Sequence, residues 1–115
     1  MQFFMELPGK GVTSKSSALS HLQFMGSGTI LGGNSLTVDA GMLANNMYII
    51  FLRQLKGSTD VHPPCALLLY MRTENYRYTT LGEIIDLDNT SISGGVFTIN
   101  FTSAQWASAW IFKIS

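Results

Sequence analysis

Val96-Phe-Thr-Ile-Asn-Phe-Thr-Ser-Ala-Gln-Trp-Ala-Ser-Ala-Trp-Ile-Phe-Lys-Ile-Ser115 is the stretch on which the fold class turns. Successive side chains of an extended strand point to opposite faces. Phe97, Ile99 and Phe101 therefore share one face, with Thr98 and Asn100 opposite. Further on, Trp110, Phe112 and Ile114 alternate with Lys113 and Ser115. With Thr102-Ser-Ala-Gln105 read as a turn, the two halves form a β-hairpin whose aromatic face covers a core. This reading assigns Phe97, Ile99, Phe101, Trp110 and Phe112 to that core.

The same alternation extends upstream. Met47-Tyr-Ile-Ile-Phe-Leu-Arg-Gln-Leu55 is apolar in both of its alternating sets, rich in β-branched and aromatic residues, and bounded by Asn45-Asn46 and Lys56-Gly57. It reads as a strand covered on both sides. Ala66–Arg72 is a second such strand, and Tyr76–Thr80 pairs back onto it across the turn Thr73-Glu74-Asn75. Between His21 and Gly41 the glycines at 26, 28, 32 and 33 read as turn residues separating short strands at Leu22–Met25, Thr29–Leu31 and Ser35–Val38. About eight short strands at this spacing predict an all-β fold, an antiparallel β-sandwich of jelly-roll type. The domain spans residues 22–115. Residues 1–21, interrupted by Pro8-Gly9-Lys10-Gly11, read as an irregular N-terminal arm.

Composition narrows the function. Seven Lys and Arg balance seven Asp and Glu in 115 residues, with no basic cluster, so a nucleic-acid partner is not expected. Charged residues are 12% of the chain, about half the usual share. Low charge without a compensating loss of apolar residues points to a surface covered by another subunit. The single cysteine, Cys65, excludes an intrachain disulfide. No run reaches the roughly 20 apolar residues of a membrane-spanning helix, and the short apolar start lacks the basic region of a signal peptide. Membrane insertion is not expected, and the chain reads as soluble unless it is part of a particle.

No catalytic motif stands out. Asp60-Val-His62 beside Cys65 is the one cluster of reactive side chains, and a small cysteine hydrolase would use it. Catalytic partners normally meet from distant segments, and Pro63-Pro64 stiffens the loop; a buried structural thiol is the simpler reading. His21, His62 and Cys65 are too few for a structural zinc. Asp86, Asp88 and Asn89 lack the pattern of a calcium loop. Neither a metal nor a cofactor is expected. Tyr76, Arg77 and Tyr78 have the side-chain types enriched in binding hot spots and form the candidate ligand-binding set. Tyr48, Ile50 and Leu52 form the candidate oligomer interface, because a two-layer sandwich buries only one face of each strand.

The C-terminal segment Ser91-Ile-Ser-Gly-Gly-Val96 to Ser115 resembles the closing hairpin of small β-sandwich modules in bacteriophage tail-fibre, head-fibre and baseplate proteins. That resemblance implies a non-enzymatic virion structural or adhesion module. Such a module self-associates, commonly as a homotrimer, and contacts other virion proteins or a host surface glycan or protein. The alternative class is a soluble, lectin-like carbohydrate-binding β-sandwich.

Overall fold

The structure is a computed structural model and describes residues 21–56, 60–73 and 75–115. The proposed N-terminal arm, apart from His21, lies outside the described residues. Among the described residues there is no helix, and so none long and apolar enough to cross a membrane. Seven strands make one antiparallel system: β1 (Leu22–Asp39), β2 (Asn46–Lys56), β3 (Asp60–Val61), β4 (Cys65–Met71), β5 (Tyr76–Leu81), β6 (Leu87–Ser93) and β7 (Val96–Ile114). The order is β1-β7-β2-β4-β5, with β3 added to β2 and β6 to β7. The all-β, antiparallel expectation holds, with fewer and longer strands than the eight expected; β3 has only two residues.

Two of the expected turns are strand interior. β1 runs through Gly32-Gly33-Asn34, and β7 runs through Thr102–Gln105, so the C-terminal stretch is one strand of 19 residues, not a hairpin. A straight strand of that length would extend about 60 Å. Both long strands bend instead. A Cβ built on Gly28 would lie 2.8 Å from the carbonyl oxygen of Thr37, nine positions further along the same strand. A straight strand would hold those residues about 30 Å apart. The fold-back in β1 coincides with register shifts between Leu31 and Ser35.

The bend divides the sheet into two limbs. In the long limb, Leu22–Leu31 of β1 and Trp106–Ile114 of β7 lie beside β2, β4 and β5. In the short limb, Ser35–Asp39 of β1 and Val96–Phe101 of β7 lie beside β6. Leu36, Val38, Phe97, Ile99 and Phe101 from the short limb join Tyr48, Ile50, Leu52, Leu67, Leu69, Ala109 and Ile111 from the long limb in one buried cluster. The odd-numbered residues of β7 keep facing this core from Phe97 to Ile111.

That parity corrects two expectations. Phe97, Ile99 and Phe101 are core as expected, whereas Trp110 lies on the opposite face and is 36% exposed, with Phe112 half-buried beside it. The cause is space. Where β1 doubles back, Gly26 and Gly28 face the core, paired with Ile111 and Ala109. The limbs approach too closely there for an aromatic ring, so small residues take the inner positions and the rings turn outward. Tyr48, Ile50 and Leu52 are likewise core, each no more than 1% exposed, and so cannot form an oligomer contact. The free apolar set of β2 is the other one, Met47, Ile49 and Phe51.

Polar side chains hold the bend. Gln54 is 1% exposed and clamps the Ile85 peptide, accepting from its N–H at 2.9 Å and donating to its carbonyl at 3.0 Å. It also donates to Gln105 Oε1 at 3.1 Å. Asp86, in the left-handed region at φ 55°, accepts at its backbone carbonyl from Thr102 N–H at 2.8 Å. A Gln at a core-facing position is tolerated because its amide is hydrogen-bonded.

Candidate functional site: an aromatic sheet face

Register fixes which side chains share the outer face of the long limb. Leu22, Ile114, Met47 and Tyr70 form one cross-strand row, and Phe24, Phe112, Ile49 and Leu68 the next. Ser27, Trp110, Phe51, Ala66 and Leu81 form the third. Directly opposed aromatic and aliphatic pairs stabilise a sheet, and the rings interlock across rows. Phe112 packs edge-on against Phe24 at 5.5 Å and against Phe51 at 5.7 Å between centroids. Arg53 holds its guanidinium 6.0 Å from the Trp110 ring centre and donates to Ser108 Oγ at 3.3 Å. Phe24, Phe51 and Tyr70 remain 54%, 41% and 44% exposed, so this face is not closed by the described chain.

The outer face of the short limb is the opposite in character. Its rows are Ser35, Asn100 and Asn89, then Thr37, Thr98 and Ser91, then Asp39, Val96 and Ser93. Ser35 donates to Asn100 Oδ1, Asn100 donates to Asn89 Oδ1 at 2.7 Å, and the Thr37 and Thr98 hydroxyls pair at 3.2 Å. One limb is dressed for water and the other is not. Monomeric proteins seldom expose a broad contiguous apolar area, and such areas mark contact sites.

Tyr76, Arg77 and Tyr78 lie on β5, which closes the sheet order. Alternation separates them. Arg77 pairs with Tyr70 of the aromatic face, while Tyr78 pairs with core residue Leu69 on the other side. Tyr76 and Tyr78 stack at 6.4 Å, and the Tyr76 hydroxyl bonds Thr90 Oγ1 at 2.7 Å, joining β5 to β6. Tyr76 therefore has a structural tie. A depression of about 320 Å³ at this edge gathers Arg77 and Tyr78 with Met47, Leu68, Tyr70 and Thr79.

The reactive cluster does not assemble around the thiol. Cys65 points into the core, 6% exposed, with its S–H directed at the Leu52 carbonyl at 3.8 Å. Burial pushes its pKa up, which suppresses the nucleophilic thiolate. His62 lines a different cavity with Asp86 and Ser103, and Cys65 is not among its lining residues. A thiol reagent such as Ellman's is expected to label Cys65 at least about 100-fold more slowly in the native protein than in denaturant. Comparable rates would place the thiol at the surface. Among the described residues no three His, Cys, Asp or Glu side chains converge as metal ligands.

No known family, curated protein or solved structure matches this chain. Its functional reading rests on the residues themselves. Sequence reasoning found two-sided apolar strands but assigned the free face to the wrong set. A usable signal was present: the set Met47, Ile49, Phe51 continues into Arg53, whereas Tyr48, Ile50, Leu52 continues into neutral Gln54. A charge at the end of a set marks the side that solvent or a partner reaches.

Proposed function

We propose that this chain is a non-enzymatic structural module that self-associates through the outer face of its long limb, with the two limbs packing as a jelly-roll-like sandwich. The contrast between the two outer faces carries the reading. Both are sheet surfaces of the same domain, yet one is Ser, Thr and Asn and the other is Phe, Trp, Met and Leu. With charged residues at only 12% of the chain, a second copy is the simplest cover. The C-terminal segment's similarity to bacteriophage fibre and baseplate modules extends this to a virion part. A homotrimer is favoured, leaving the β5 edge with Arg77 and Tyr78 to meet a host surface glycan or another virion protein.

Sedimentation analysis tests the assembly. The wild-type chain is expected to be oligomeric at micromolar concentration. Phe51→Glu, at the centre of the face, is expected to weaken association at least about 100-fold, as loss of a buried aromatic anchor does. Its circular dichroism should remain that of the wild type, because Phe51 is not core. A wild-type monomer at 100-fold higher concentration would overturn the proposal.

A second reading, a soluble carbohydrate-binding domain, is favoured by one observation. Trp110 is exposed with Arg53 and Ser108 beside it, an aromatic platform flanked by hydrogen-bonding groups. Saturable quenching of tryptophan fluorescence by a glycan, in a monomeric wild-type chain, would decide for it.

A further inference from the structure

The bend encloses a cavity of about 420 Å³ that neither outer face uses. Its size is that of a small-molecule site. Leu55, Ile85 and Ala104 supply apolar wall, and His62, Asp86, Ser103 and Gln105 supply polar groups. The polar groups are held in place. Ser103 donates its only proton to Asp86 Oδ2 at 2.6 Å and accepts from Gln105 Nε2 at 3.2 Å. Gln105 is 4% exposed and is itself held by Gln54. This wiring leaves the cavity with surplus acceptors. Asp86 keeps Oδ1 uncommitted among the described residues, and Ser103 keeps an unused lone pair. His62 Nε2 is buried and has no hydrogen-bond partner among the described residues. It accepts when the ring proton sits on Nδ1. No Lys or Arg lines the cavity, and its one formal charge at neutral pH is the Asp86 carboxylate.

We infer that this cavity binds a primary alkylammonium group. An ammonium brings three donors and no acceptor, which complements the Asp86 carboxylate, the Ser103 hydroxyl and His62 Nε2. A short alkyl stem lies against Leu55, Ile85 and Ala104. An anion would meet Asp86 with no counter-charge. The buried imidazole nitrogen gains the partner it lacks, and an unpaired buried polar atom is costly to leave so.

The test is a titration of the full chain with n-butylammonium, followed by amide chemical shifts. Saturable shifts confined to His62 and residues 85–86 and 103–105 are expected in the millimolar range, as suits a ligand of about five heavy atoms. Butyrate should leave those amides unmoved. Nα-acetyl-lysine methylamide separates the two sources of the group: tighter binding than n-butylammonium indicates a partner's lysine side chain, and weaker binding a free amine. Asp86→Asn keeps a residue type that tolerates the left-handed region and can still accept from Ser103. It is expected to fold and to weaken n-butylammonium binding at least about fivefold. His62→Leu should weaken it as well. The inference is overturned if butyrate shifts the same amides as strongly, if Asp86→Asn titrates like wild type, or if nothing saturates below about 50 mM.

Discussion

Gly28→Val is expected to destabilise the protein by about 3 kcal/mol or more, and to leave little folded protein if total stability is at the low end for a domain of this size. The reason is contact with backbone, which cannot rotate aside. A Cβ at Gly28 would sit 2.8 Å from the Thr37 carbonyl oxygen and 3.1 Å from Val38 Cγ2. Valine adds two further methyl groups to that clash. Relief requires moving the short limb away from the long one, which opens the core around Leu36 and Val38. Gly33→Ala is the control. Its nearest neighbour is Ile30 Cβ at 3.9 Å, so an added methyl meets open space, and a change within about 1 kcal/mol is expected. Urea unfolding reads both. Equal midpoints for Gly28→Val and wild type would mean that the limbs do not approach one another at this point.

Tyr48→Ala is expected to cost about 3–5 kcal/mol, the range for loss of a buried ring with its cavity left behind. Tyr48 is the largest side chain with no exposed surface. Its hydroxyl accepts from Leu43 N–H at 2.8 Å and donates to Leu43 carbonyl at 3.2 Å, fastening the loop before β2 to the core. Tyr48→Phe isolates that fastening and is expected to cost about 1 kcal/mol. Phe51→Ala, three residues away on the opposite face, should cost below about 2 kcal/mol in the dissociated chain, because its ring is already 41% exposed. The ordering of Tyr48→Ala against Phe51→Ala by denaturant midpoint decides which side of β2 faces the core.

The strand class was legible from alternation alone, as β2, β4 and β5 illustrate: Met47–Leu55, Ala66–Arg72 and Tyr76–Thr80 each read as strands, and each is one. Facing direction was not legible, because period two specifies that two sets exist and not which one is inside. Side-chain size misled at Trp110 and Phe112. The largest rings go to the core only where the core has room, and room in β7 was set by glycines eighty residues earlier in the chain. Those glycines carried the information in their spacing. Gly26, Gly28 and the inward Ile30 alternate as one face of a strand, whereas turn glycines cluster. The true tight turn was also written plainly. Gly94 and Gly95 both adopt positive φ, 58° and 81°, between the paired Ser93 and Val96, which is the two-residue hairpin geometry that favours glycine. Thr102–Gln105, read as a turn, lacks glycine, proline and asparagine altogether. The cavity residues were invisible as a group, since Asp86, Ser103 and His62 converge only after the sheet bends.

The place of β7 in the sheet has a kinetic meaning. It is the last strand in the sequence and the shared neighbour of β1, β2 and β6. Leu22 waits for Ile114 and Asp39 for Val96, so the widest pairing in the domain closes loops of the longest kind. Domains dominated by such distant pairings fold in milliseconds to seconds, not microseconds. Until β7 docks, both long-limb neighbours present bare edges and apolar surface at once. The interval before docking is when misassembly between chains competes with folding. Any substitution that delays β7 therefore acts on yield before it acts on stability.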